Sequence, residues 1–268
     1  MASSSTATPA TPAPGDSYVQ SFARGLQVIR SFSADAPRQT LTEVASRSGL
    51  TRAGARRILL TLQTLGYVET DGKLFSLTPR ILDLGFAYLS SMPIWNIAEP
   101  VMEAMVEEVK ESCSAAVLDG TDIIYVMRVP THKIMSISLG VGSRLPAYCT
   151  SLGRVLLADL PDAELRQRLQ ASERQARTRH TITEVNELVA RVLTVRKQGW
   201  SLVDQELEEG LVSLAAPVTD REGRTVAALN ISGQAMRTSA KTMQSQMLPS
   251  LLAAAHTISS LLADKRRP

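Results

Sequence analysis

The chain has 268 residues, of which 44% are hydrophobic and 21% charged, enough for two compact domains with packed cores and a solvated surface. No continuous apolar run approaches the roughly 18 residues a membrane span needs, which excludes a transmembrane anchor. Net charge is only +3, but residues 1–90 hold 9 Lys/Arg against 6 Asp/Glu while the rest hold 20 of each, so all the excess lies in the first third. That asymmetry is what a phosphate-binding module joined to a neutral domain shows. Cys113 and Cys149 are too few for a disulfide framework, so a reduced, cytoplasmic setting is expected. The opening MASSSTATPATPAPGDS has neither Lys nor Arg and no apolar centre, which rules out a signal peptide and predicts a disordered tail over 1–17.

In chain order, Phe22, Leu26 and Ile29, with Phe32 one turn on, predict a first helix with one apolar face. Thr40 and Glu43 have capping-box spacing, so a second helix should start there and end at Gly49. Thr51 caps a third helix whose Ile58, Leu62 and Leu65 face the core and which stops at Gly66. YVETDGKLFSL reads as two short strands around an Asp71–Gly72 turn. Three helices and a hairpin in this order make a winged helix-turn-helix over 18–78. Thr78–Pro79 opens a further helix by the cap-then-proline rule, and its all-round apolar content predicts a linker and dimerisation element over 79–94.

Beyond residue 95 the pattern alternates. A helix near 97–111 precedes a hairpin around Asp119–Gly120, a strand and loop to Pro146, short helices in SLGRVLLADL and PDAELRQRLQ, and a long helix with a second capping box at Thr181 and Glu184. Strands follow around WSLVDQEL, SLAAPVTD and TVAALNISG, and a terminal helix spans roughly 240–263. The expectation is an α+β sensor domain, rich in antiparallel strands, over 95–263.

In a helix-turn-helix the second motif helix enters the major groove and its N-terminal side chains reach base edges. Here that position carries Thr51, Arg52, Arg56 and Arg57, with Arg52 and Arg56 one turn apart and small residues between them. Arginine pairs bidentately with guanine, whereas Arg47 and the wing residue Lys73 are placed for phosphates, which position without specifying sequence. An arginine-bearing helix face taken alone is usually only a solvated surface. The helix–helix–turn–helix–wing context favours double-stranded DNA, and so does the lack of aromatics between residues 33 and 66 to stack RNA bases.

LTEVASRSGLTRAGARRILLTLQTLGYV, GSRLPAYCTSLGRVLLA and GWSLVDQELEEGLVSLAAPVTDREGRTVAALNISG together resemble the IclR family of bacterial transcriptional regulators. The resemblance covers about residues 18–263, and TRAGARR with RLPAYCTSLGRVLLA is similar to the branch controlling protocatechuate, 4-hydroxybenzoate and β-ketoadipate catabolism. It implies a GAF-like sensor fold, a homodimer that can pair into a tetramer, and a palindromic or repeated operator. It also implies effector contacts at Ile134, Ile137, Leu145, Ser151, Leu152, Val203, Ser213, Asn230 and Ser232.

Residue chemistry adds that Thr150 or Ser151 caps a helix beginning near Gly153, whose N-terminal N–H groups suit a carboxylate. Arg144 and Arg128 are candidate partners for that carboxylate. Val203 stands where relatives that bind small keto acids can have an acidic residue, so a different effector is expected, with a glyoxylate- or pyruvate-like ligand as the alternative. A thiol enzyme built on Cys149 is a weaker reading, because no local motif brings a histidine to it, and it reads as a small buried hydrophobe. No catalytic residue and no cofactor is expected. CxxC and HExxH are absent; only a convergence of Cys149, Asp204 and Glu206 leaves a metal site open. Asp204, Glu206, Glu208 and Glu209 read as an acidic loop facing solvent or a partner.

Overall fold

A computed structural model of the chain describes residues 15, 17–92, 94–131 and 139–264. The chain divides into two compact units, Met1–Tyr88 and Leu89–Pro268. In the first, α1 (Gln20–Arg30), α2 (Leu41–Ser48) and α3 (Arg52–Thr64) pack around Val28, Val44, Ala55, Leu59 and Leu62. The Thr40–Glu43 capping box forms as its spacing requires, and Gly49 at φ +67° ends α2, a conformation that costs glycine nothing. Thr51 caps α3 by accepting the Gly54 N–H. Strands β2 (Val68–Thr70) and β3 (Leu74–Leu77) flank the Asp71–Gly72 turn, and β1 (Arg38–Thr40) adds a third antiparallel strand in the order β1-β3-β2. Three residues are too few to show a period of two, which is why β1 leaves no mark in the sequence pattern.

Two apolar faces differ in phase from the expectation. Along α1 it is Val28 that is fully buried, while Phe22 is 68% exposed and Leu26 is also exposed. On α3 the core set is Ala55, Leu59 and Leu62, and Leu65 is exposed. A helix that packs on only two neighbours buries a narrow stripe, and the wider apolar band is left outside it. Beyond the wing, Thr78 donates to the Gly66 carbonyl rather than capping. A 3-10 turn (Pro79–Ile81) then leads into α4 (Leu82–Ser91), where the division between the units falls.

The second unit is a six-stranded antiparallel sheet in the order β6-β5-β4-β9-β8-β7. Its strands are β4 (Ser112–Asp119), β5 (Asp122–Val129), β6 (Arg144–Pro146), β7 (Ser201–Asp204), β8 (Leu211–Thr219) and β9 (Thr225–Gln234). Side chains alternate across it. Val212, Leu214, Ala216 and Val218 of β8, with Ala227, Leu229 and Ile231 of β9, pack against α5 (Ile94–Val109) and against α10 (Leu248–Asp264). The alternate residues Ala215 and Ala228 face α6 (Ser151–Ala158), with α7 (Asp162–Ala171) and α8 (Val185–Gln198) completing that layer. Because both faces are covered, these strands read as continuous apolar runs instead of alternating ones.

The expected terminal helix is two helices, α9 (Ala240–Gln246) and α10, broken at Met247. Pro249 explains the break: it sits in the first turn of α10, where its missing N–H has no cost, and could not continue α9. The second expected capping box also fails. Glu184 is itself the N-cap of α8 without a side-chain bond, and Thr181 instead donates to the Glu206 carbonyl at 2.6 Å.

That carbonyl belongs to a buried cluster. All eight residues of α6 are buried, including Arg154, whose Nη2 lies 2.6 Å from Glu206 Oε2 with 4% and 8% of the two side chains exposed. Arg154 Nε also donates to the Tyr148 carbonyl, and Glu206 Oε2 accepts the Ile182 N–H. The expected solvent-facing acidic loop therefore holds for Asp204, Glu208 and Glu209 only in part, and not for Glu206, which the guanidinium draws inward. Removing one partner of such a pair strands the other charge in the core, at a typical cost of about 3–5 kcal/mol. Arg154→Met should thus lower stability by that order in urea unfolding, and Arg154→Met with Glu206→Leu should recover most of it. A double variant no more stable than the single one would show that the pair is not what holds this region.

Candidate effector site and DNA-reading helix

The strand register builds the floor of a cleft under α6. Ser114 pairs with Arg128 on one side and Asn230 on the other, Ser232 pairs with Ser112 and Ser213, and Ser213 pairs with Val203. Residues opposite one another share a face, so Arg128, Asn230, Ser232, Ser213 and Val203 line one cleft together. The start of α6 forms its roof through Thr150, Ser151 and Leu152, beside Cys149, and Tyr125, Leu139, Leu207 and Leu211 complete the wall. The cleft holds about 510 Å³ of atom-free space if its open mouth is counted, but only about 30 Å³ is wide enough for the centre of a water-sized sphere.

Of the sequence-derived effector positions, Ser151, Leu152, Val203, Ser213, Asn230 and Ser232 meet here. Ile134 and Ile137 lie outside the described residues. Leu145 is not among the cleft residues; it packs half-buried on the core beneath α6. Arg144 requires correction. It stands on the edge strand β6, exposed, with its guanidinium 2.6 Å from Asp119 and 3.3 Å from Asp122, because the β4–β5 turn puts both carboxylates beside it. The candidate that does reach the cleft is Arg128. Tyr125, Leu207 and Leu211 were invisible to sequence reasoning, since cross-strand register and loop course are not local properties.

Polar groups in the cleft are tightly organised. Thr150 caps α6 by accepting the Gly153 N–H at 3.2 Å, and its own hydrogen goes to the Pro146 carbonyl at 3.0 Å. The Asn230 Oδ1 accepts the Ser114 N–H at 2.9 Å, its Nδ2 donates to Ser213 Oγ at 3.3 Å, and Ser213 and Ser151 share a hydrogen bond of 2.5 Å. Burial pushes the Tyr125 phenol up to about 12, only partly offset by Arg128, so it keeps its proton. Burial likewise pushes the Cys149 thiol up to about 11. Among the described residues lining the cleft there is no Asp, Glu or His, and no described cluster of His, Cys, Asp or Glu could hold a metal.

On the first unit, Arg47, Arg52, Arg56, Arg57 and Lys73 are all exposed, and none of their charged ends meets a carboxylate among the described residues. Arg38, by contrast, is taken by Asp71 at 2.5 Å. Arg52 and Arg56 stand one helical turn apart on α3. Arg57 lies round the helix from them, at the rim of an open apolar groove of about 900 Å³ formed with Phe22, Leu26, Ile58, Leu65 and Leu84.

Fold and cleft together define the class: a winged helix-turn-helix unit followed by a sheet-based, ligand-sensing unit. The chain belongs to the IclR family of bacterial transcriptional regulators. The pattern described as IclR helix-turn-helix domain matches residues 21–72, and that described as bacterial transcriptional regulator IclR C-terminal matches residues 86–260. Among curated relatives, the Pca regulon regulatory protein of Pseudomonas putida is 42% identical over 242 residues, covering 90% of this chain and 83% of the relative. A transcriptional regulator structure from Rhodococcus sp. RHA1 superposes with a TM-score of 0.82 at 51% identity, over 91% of this chain and 98% of that one. An IclR homologue from Microbacterium hydrocarbonoxydans in complex with 4-hydroxybenzoate has the same fold, with a TM-score of 0.78 at 23% identity over 91% and 99%. No helix among the described residues is long and apolar enough to cross a membrane.

Gly153 sets how closely α6 approaches the turn before it. A Cβ there would lie 2.2 Å from the Ala147 carbonyl oxygen and 2.3 Å from its Cα, and neither backbone atom can move aside. Gly153→Ala should therefore cost at least ~1–3 kcal/mol as an overpacked site. It should be read as a lowered melting temperature with loss of ligand binding; a variant that melts and binds like the parent would show that α6 has slack.

Proposed function

We propose that the protein regulates genes of aromatic-acid breakdown, binding operator DNA as a homodimer through α3 and sensing a small carboxylate in the cleft under α6. The observation that carries the ligand class is the make-up of the cleft. Arg128 can only donate, and no described lining residue bears a carboxylate, so an anion meets an attractive site with an apolar wall. The name of the Pseudomonas putida relative and the 4-hydroxybenzoate held by the Microbacterium homologue support an aromatic or related acid as the effector. The Cys149 thiol, protonated at neutral pH, is a poor nucleophile, which supports binding without turnover.

For DNA, the unpaired exposed arginines of α3 support base contacts by Arg52 and Arg56, and Arg47 and Lys73 are suited to phosphates. For assembly, α4 exposes Leu82, Leu84, Phe86 and Tyr88 in succession, with Phe86 at 67%. An apolar surface of that extent supports a second copy as its cover, and two-fold symmetry then calls for a palindromic or repeated operator.

Arg56→Ala should cost ~1–3 kcal/mol on the operator and relax one base position, whereas Lys73→Ala should weaken all sequences alike and flatten the salt dependence. Equal effects of both on operator and random DNA, in a titration across salt concentrations, would reject the assignment. Sedimentation at micromolar concentration should give a dimer, and a monomer protecting a single half-site would reject that part. Protocatechuate, 4-hydroxybenzoate, β-ketoadipate, pyruvate and glyoxylate should be compared by melting shift and then by operator affinity. A ligand at a hundredfold excess over its Kd stabilises the folded state by ~2.7 kcal/mol, and it must bind the two DNA-affinity states unequally to switch anything. No shift with any of the five would sink the carboxylate reading.

A further inference from the structure

The polar groups under α6 form a chain with a direction. A backbone N–H can only donate, so the Ser114 N–H at 2.9 Å fixes Asn230 with its oxygen toward β4 and its nitrogen toward Ser213. Ser213 Oγ therefore accepts from Asn230 and keeps its own hydrogen. Ser213 and Ser151 then hold two hydroxyl hydrogens between them, and their mutual 2.5 Å bond uses one. Whichever of the two donates in that bond, one hydrogen is left, and both oxygens line the cleft. Were Asn230 turned the other way, both hydrogens would be spent and only lone pairs would face inward. All three side chains are at least nine-tenths buried, so bulk water does not blur the direction.

We propose that the Ser114–Asn230–Ser213–Ser151 relay is a specificity device that ends in a donor and selects effectors offering an oxygen acceptor opposite the carboxylate held at Arg128. This rests on the carboxylate reading above and adds which second group the ligand must carry: a phenolic, keto or carboxylate oxygen, and not an amino group. Arg128 and the Ser213–Ser151 pair reach the cleft from β5 on one side and from β8 and α6 on the other, which suits a ligand with a polar group at each end of an apolar body. The hydroxyls of Tyr125 and Ser232 also face the cleft, but each can donate or accept, so neither imposes a preference.

The test uses the full-length protein and two carboxylates of the same length, 4-hydroxybenzoate and 4-aminobenzoate, whose amino group donates but accepts poorly. Calorimetric titration of the parent should favour 4-hydroxybenzoate by about tenfold or more, the cost of leaving a buried donor unpaired. Asn230→Asp keeps an acceptor for the Ser114 N–H but presents a second acceptor to Ser213, which reverses every bond in the relay. Its added charge opposes both carboxylates alike, so the readout is the affinity ratio, which should invert toward 4-aminobenzoate. Structural damage alone cannot invert a preference. Ser213→Ala, which adds no charge, frees the Ser151 hydroxyl to turn either way and should bring the ratio close to one, so the proposal stays testable if Asn230→Asp does not fold. A parent without preference, or a ratio unchanged in the variants, overturns the relay and leaves the carboxylate reading standing. Failure of the parent to bind either compound or any other carboxylate overturns both.

Discussion

The sensor unit depends on one interaction, the buried pair of Arg154 and Glu206. Taking a guanidinium and a carboxylate out of water is costly unless each finds its full set of partners. Here the cost is met by a 2.6 Å contact, by the Tyr148 carbonyl on the arginine and by the Ile182 N–H on the glutamate. Four stretches of chain distant in sequence thereby share one fixed point: α6, the turn before it, the segment leading to α8, and the loop after β7. Gln205 in that loop adopts φ +60° and is held there by its side chain accepting the Gly210 N–H and by its carbonyl accepting the Thr178 hydroxyl. Leu207, next to Glu206, is a wall of the cleft. The ligand site is thus defined by an ionic anchor that does not touch the ligand.

The first unit works by the opposite arrangement. Its core is small, built from a few aliphatic side chains on three helices and a hairpin, and its charges stay outside and largely unpaired. Unpaired surface arginines contribute little to folding, since an exposed ion pair is itself worth under ~1 kcal/mol, so nothing in the stability of the unit constrains them. They are free to meet phosphates and base edges. The same economy leaves α1 and α4 with apolar surface that the unit does not cover with its own side chains.

Local signals in the sequence were reliable wherever the chemistry was local. Thr40 with Glu43, Thr51, Gly49 and the Asp71–Gly72 turn each involve atoms within four residues, and each forms as its spacing implies. Thr181 with Glu184 has the same spacing and fails, because a buried carbonyl at Glu206, remote in sequence, competes for the threonine hydroxyl and wins. The helix phase errors at Phe22 and Leu65 have a similar origin: periodicity reveals an apolar band but not which part of it a neighbour will cover. The cleft was half legible. Ser151, Ser213, Asn230 and Ser232 lie in recognisable motifs, whereas Arg128 and Arg144 look alike in sequence and are separated only by register, which gives one a place on the floor and the other two carboxylates at the sheet edge.

Strand parity divides the labour within β8 and β9. Odd-numbered Ser213 and even-numbered Asn230 and Ser232 face the cleft, while their immediate neighbours Val212, Leu214, Leu229 and Ile231 secure the layer of α5 and α10 on the far side of the sheet. Each residue therefore answers to one side only. A lineage, or an engineer, can recut the cleft for a new effector by changing every second residue while the scaffold next to it goes untouched. Divergence in ligand choice then leaves a two-residue rhythm along these strands, with the conservative positions interleaved between the variable ones.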